Sequence, residues 1–198
     1  DLTTASNGVL SPVSTATDLG AGDFTIEGQF RFQALPTGAN KSVLFGTWDA
    51  TSGNLRSYEL HLGGPSLENG LLVFRTSTDG TSGTVVEKVT WEWAPLIGRW
   101  YHVAMCRDGG NLKLFIDGVL QGIAVADADT YFAGGARAGV GIEPNGAGAV
   151  ATTRLQGWQD ELRLTVGMSR YSANFAPPSA AFPRGGDDAN WADVKWLS

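Results

Sequence analysis

The stretch GDFTIEGQFRF, residues 22–32, alternates apolar and polar side chains: Phe24, Ile26, Phe30 and Phe32 fall on one face, Thr25, Glu27, Gln29 and Arg31 on the other. A period of two marks a β-strand with one buried side, because successive side chains of an extended chain point to opposite faces. Similar runs recur at 42–48, 57–62, 70–76, 84–93, 100–107, 111–117, 119–125, 137–142 and about 154–166. Gly, Asp, Asn and Pro fill the connections, and Asp117-Gly118 between two apolar runs is the sharpest hairpin signal. Helical periodicity is nearly absent. Strands this numerous, with no helices to cover a parallel sheet, predict an all-β fold, a two-sheet antiparallel β-sandwich.

Composition agrees with a single such unit. The 198 residues are 42 % hydrophobic and 17 % charged, which supplies a real core and argues against general disorder. A net charge of -6 and a pI near 4.8 argue against a nucleic-acid surface, which needs a basic face. No apolar run approaches the length of a membrane span. Cys106 is the only cysteine, so no internal disulfide forms, and its apolar setting in YHVAMCR reads as a buried, inert thiol.

The segment GRWYHVAMCRDGGNLKLFIDG, residues 98–118, resembles the central hairpin of laminin-G-like, concanavalin-A-like jelly rolls, with its tryptophan, His-Val-Ala strand, Arg-Asp-Gly turn and Asp-Gly turn in order. Residues 19–32 are similar to the early Gly-Asp-Phe-Thr-Ile-Glu strand of that family, and residues 155–183 to its closing strand with the Asp-Glu-Leu-Arg core. The Arg-Tyr-x-x-Asn-Phe-x-Pro-Pro tail at 170–178 is similar to versions found in tailed-phage virion proteins. The family's usual first strand is missing ahead of Asn7, Gly8 and Leu10, while the C-terminal DDANWADVKWLS resembles the lead-in to it. The last strand therefore either fills the missing slot or belongs to a longer protein's next unit. The organisation expected is a sandwich over 1–183, closed by a coil strapped down through Tyr171, Phe175 and Phe182, then a linker and arm over 184–198.

Enzymes with this sandwich, the β-glucanases, carry a Glu-x-Asp-x-x-Glu strand with both acids on one face of a sugar cleft. That pattern does not occur here, and the adjacent Asp160 and Glu161 are expected on opposite faces. His61 and His102 have no nucleophile partner nearby in sequence, so no catalytic residue is assigned. Asp160 shares its phase with Trp158, Leu162, Leu164 and Val166, which places a carboxylate among apolar residues. The preferred reading is an acid bonded to turn amides or an arginine; the resemblance implies, as the alternative, a structural calcium there with Asn7 as a second source of oxygen. No other cofactor is required.

Among the seven tryptophans, Trp91 and Trp93 share a face with Val85 and Val89 and read as core. Trp48 and Asp49, at a strand end before a Gly-containing loop, are the candidate carbohydrate-binding rim. Trp191, Val194, Trp196 and Leu197 are too apolar for a free arm and are candidate interface residues, docked on this subunit or another. The leading functional expectation is a non-catalytic structural or adhesion protein on a tailed-phage virion surface, contacting virion proteins, other copies of itself and host surface glycans. The alternative is a lectin-like carbohydrate-binding module of a secreted or cell-surface protein.

Overall fold

The computed structural model describes residues 8–64, 70–146 and 148–198. In chain order the strands are β1 (Val9–Leu10), β2 (Phe24–Phe32), β3 (Lys41–Asp49), β4 (Leu55–Gly63), β5 (Leu71–Thr76), β6 (Val86–Glu92), β7 (Trp100–Asp108) and β8 (Asn111–Ile116). They continue with β9 (Val119–Leu120), β10 (Val125–Ala126), β11 (Gly139–Val140), β12 (Glu143–Asn145), β13 (Gly148–Val150), β14 (Gly157–Val166) and β15 (Val194–Leu197). One sheet has the order β1-β11-β3-β4-β5-β6. The other has the order β10-β8-β7-β2-β14-β15, with β9 beside β8, and β12-β13 form a separate hairpin. Every recorded pairing is antiparallel. The fold is the two-sheet antiparallel jelly roll that the alternation predicts.

The inner faces make one core. Phe24, Ile26, Phe30 and Phe32 of β2 all point into it, as do Phe45, Tyr58, Leu60, Phe74, Met105 and Leu164. Trp91 and Trp93 pack against its edge, with Trp93 edge-on to Phe32 at 5.7 Å and to Tyr101 at 5.2 Å. The β8–β9 turn has both central residues at positive φ, Asp117 at 49° and Gly118 at 75°, the conformation a tight hairpin selects.

The outer faces depart from the simple picture of one wet side. Thr25 and Glu27 are as buried as Phe24 and Ile26 beside them. The coil after β14 lies across the outer face of the second sheet. Tyr171 and Phe175 stack on each other at 3.5 Å and sit edge-on to Phe115 and His102. The hairpin β12–β13 and the turn at Ala151–Thr153 cover β3 in the same way.

Residues 184–198 dock on the sandwich of their own chain. Asp188 is buried and bonds Arg163 and Arg170, and β15 pairs with β14 through Arg163↔Leu197 and Leu164↔Trp196. Trp196 reaches Phe45 of the opposite sheet at 6.0 Å. The chain closes its own sheet edge, which satisfies backbone groups that would otherwise stand open.

Candidate functional site

Cross-strand pairing sets three side chains in a row on the outer face of the second sheet. Trp158 of β14 lies opposite Arg31 of β2, which lies opposite Trp100 of β7. Directly paired residues share a face, and two inter-strand spacings put the outer members of the row about 10 Å apart. The Arg31 guanidinium lies over the Trp158 ring, 4.8 Å from its centroid. Trp100 is 41 % exposed, and the loop before it presents Leu96 and Ile97 to solvent. Arg31 and Trp158 are half-buried, and the coil comes as near as Gln29, whose side-chain amide donates to the Pro178 carbonyl at 3.5 Å.

Beside the row lies an open groove of about 390 Å³ lined by Gln29, Asp160, Glu161 and residues 178–182. Its polar wall comes from an irregularity in β14. Between Asp160 and Arg163 the register against β2 shifts, and Glu161 adopts φ 49°. One extra residue reverses the phase of the strand. Leu162 and Leu164 therefore point into the core, while Asp160, still in phase with Trp158, points outward and is exposed.

This corrects the expectation of a carboxylate among apolar residues. Asp160 accepts only the Glu161 amide, at 2.9 Å. The Glu161 carboxylate accepts the Phe182 amide at 2.7 Å. Calcium takes six to eight oxygens, and among the described residues no three His, Cys, Asp or Glu side chains converge on one point. The described residues around Asp160 do not fit a calcium cage, and Asn7 lies outside them.

The expected rim at Trp48 and Asp49 is buried. Trp48 is only 2 % exposed and lies beneath Arg75, whose guanidinium is 4.2 Å from the ring centroid. Asp49 is buried as well: Oδ1 accepts the amides of Thr51 and Ser52, and Oδ2 accepts the Gly146 amide. It pins two loops together and presents no free face. Of the candidate interface residues, Trp191 is 39 % exposed, whereas Val194, Trp196 and Leu197 are partly buried in or beside the sheet.

Two buried charged clusters lie under the covers. In the first sheet, Lys41 lies 2.6 Å from both Glu59 and Glu143, and Arg75 reaches Glu59 at 2.8 Å. Burial alone would raise the Glu59 carboxyl, but the Lys41 and Arg75 charges outweigh it and hold it down to about 2. Burial holds His61 down to about 3 against the pull of Glu59, so the ring is neutral near neutrality. Burial and the Glu59 charge push Glu143 up.

In the second sheet, Glu27 Oε1 accepts both Nε and Nη2 of Arg163, at 2.9 and 2.7 Å. Oε2 accepts the Tyr171 hydroxyl at 2.6 Å and faces His102 Nε2 at 3.2 Å. Burial would raise Glu27; His102, Arg163 and Tyr171 together bring it below its ordinary value. Burial pushes the Cys106 thiol up to about 12, which makes it inert. Sequence reasoning missed these clusters, although Glu59 and His61 alternate with Tyr58, Leu60 and Leu62 and so announce a shared outer face.

Two antiparallel sheets packed face to face in this strand order make a jelly-roll sandwich. A family model described as the concanavalin A-like lectin/glucanases superfamily matches residues 3–165, and the chain belongs to that superfamily. Among solved structures, a Bacteroides ovatus protein described as carbohydrate-binding is similar over 98 % of this chain and 49 % of its own, with 15 % identity and a TM-score of 0.63. The present chain thus spans about half of that protein. Domain 4 of AbnA, a GH43 extracellular arabinanase from Geobacillus stearothermophilus, was solved with arabinotriose. It shares 20 % identity over 81 % of this chain and 66 % of its own, with a TM-score of 0.58. The heptameric SAP-like pentraxin of Limulus polyphemus shares 14 % identity over 96 % of this chain and 84 % of its own, also with a TM-score of 0.58. At these identities the likeness establishes the fold. A search of curated proteins finds no match.

Proposed function

We propose that this domain is a non-catalytic glycan-binding module of a secreted or cell-surface protein, and that it binds sugar on the strip formed by Trp100, Arg31 and Trp158. The carrying observation is the register that aligns these three residues beside an open groove. An indole offers a flat apolar face to the C–H side of a pyranose, while a guanidinium and a carboxylate meet its hydroxyls. The spacing of about 10 Å between the tryptophans suits an extended chain of sugars better than a single ring.

The carbohydrate-binding proteins among the structural relatives favour this reading over the virion assignment, which rests on the tail motif at 170–178. That motif has a sufficient reason in packing, since Tyr171 and Phe175 seal the outer face. Absence of catalysis is part of the proposal. Glu59 and Glu143 both hold Lys41, with Glu59 sealed from solvent, and of the groove acids Glu161 already accepts the Phe182 amide.

The test is a glycan-array screen followed by calorimetry on the best neutral oligosaccharide. Trp100→Ala should weaken binding about tenfold or more, or roughly 1.4 kcal/mol, without lowering the melting temperature. Undiminished binding by Trp100→Ala and Trp158→Ala, or no glycan retained by the wild type, would overturn the proposal.

A further inference from the structure

A second cavity, of about 230 Å³, lies where residues 151–156 cross from the first sheet to the second. Asn40, Lys41, Thr152, Arg154 and Gln156 line it, all of them able to donate hydrogen bonds, and no carboxylate does. Lys41 is already held between Glu59 and Glu143. Arg154 is not held. Among the described residues it has no hydrogen bond, ion pair or ring contact, and its Nε is shut off from water without a partner.

Nε is closed to the cavity, so an arriving oxyanion meets the Nη atoms, where no protein acceptor among the described residues competes for it. The charge is locally unbalanced as well. Lys41 and Arg75 face Glu59 and Glu143, two against two, and no described carboxylate lies within ion-pair distance of Arg154. It stands out on a chain whose net charge is -6.

We infer that this cavity is a binding subsite for a carboxylate-bearing sugar, a uronic acid. Arg154 takes the carboxylate in its planar fork. Asn40, Thr152 and Gln156 supply amide and hydroxyl groups for the ring hydroxyls. Those flanking groups distinguish a sugar acid from a bare anion, which calls for charge alone. The cavity is small and holds one residue rather than a chain. This inference stands on different residues from the outer-face strip, so Trp100→Ala tests that strip and leaves this one untouched.

The experiment is calorimetry of the full chain and of Arg154→Gln with sodium glucuronate, methyl glucoside and sodium sulfate as separate titrants. Arg154 bonds to nothing in the protein, so Arg154→Gln should melt like the wild type and isolate the binding effect. Glucuronate should bind the wild type, lose about tenfold or more in Arg154→Gln, and weaken as salt is raised. Methyl glucoside should not bind measurably, and sulfate should bind about tenfold or more weakly than glucuronate. Failure of glucuronate to bind, or equal binding by Arg154→Gln, overturns the inference. Sulfate binding as tight as glucuronate overturns its sugar component, leaving a plain anion site.

Discussion

Replacing Glu27 by alanine tests the buried network of the second sheet most directly. In the wild type this one carboxylate answers three donors: the Arg163 fork, the Tyr171 hydroxyl and the His102 ring. Without it, the one carboxylate left to Arg163 is Asp188 at 3.4 Å, an acid it shares with Arg170 at 2.8 Å, beside the Phe182 ring. Removing one partner of a buried ion pair costs about 3–5 kcal/mol, because the survivor stays buried and uncompensated. A domain of this size shifts by about 2–4 °C per kcal/mol, so Glu27→Ala should melt roughly 6–20 °C lower near neutral pH.

The pH dependence has a definite sign. Folded Glu27 titrates below its ordinary value of 4.5. Its stabilisation is therefore complete above pH 4.5 and is lost as pH falls through the folded value. Glu59, held down to about 2, adds a contribution of the same sign over the same window. Circular-dichroism melts at stepped pH should show the wild type losing stability between pH 4.5 and about 2. Glu27→Gln should lose less over that range. A Glu27→Ala melt within about 2 °C of wild type at neutral pH would refute the reasoning, because it would mean the network carries no net load.

Three further outcomes follow from the same geometry. Cys106 should resist a thiol reagent in the native protein and react only on unfolding, since its thiol is buried and pushed up to about 12; a colorimetric thiol assay reads this. Gly118→Ala should destabilise by about 2 kcal/mol or more in thermal melts, because φ is 75° and a Cβ there would lie 1.9 Å from the Phe175 carbonyl oxygen. Trp196→Ala should lower stability by about 2 kcal/mol or more, and deletion of 187–198 by more still, since deletion also removes Asp188 from Arg163 and Arg170.

The elements legible in the sequence are those whose signal is local. The inner face of β2 could be read because Phe24, Ile26, Phe30 and Phe32 carry their own period, and Asp117-Gly118 could be read because a tight turn selects those residues. The misreadings have distant or single-residue causes. Trp48 and Asp49 look like a rim until Arg75 of β5 lies over the first and Gly146, about a hundred positions away in the chain, bonds the second. Asp160 looks apolar-facing until one residue, Glu161, turns left-handed and reverses the phase. The strip of Trp100, Arg31 and Trp158 joins residues from three separate strands. Their types are visible in the sequence, but the register that aligns them is a tertiary quantity.

The covers also bear on where binding can occur. A jelly roll has two outer faces, and here each is partly roofed by a connection held down through buried charge: residues 143–153 over the first sheet, 169–188 over the second. Buried ion pairs of this kind add little net stability compared with apolar packing, but they penalise misplacement heavily, so they fix where each roof sits. Along β2 the roof contacts Gln29 through Pro178, and at the next outward position the row of Arg31, Trp100 and Trp158 has Trp100 exposed and the other two half-buried. Stability and binding are thereby assigned to different residues of the same face. Substitutions at Glu27, Arg163 or Asp188 should move the melting temperature, and those at Trp100 or Trp158 should move affinity. If the two sets of effects proved inseparable, the open strip would be a mere extension of the roofed core, and the binding proposal would lose its footing.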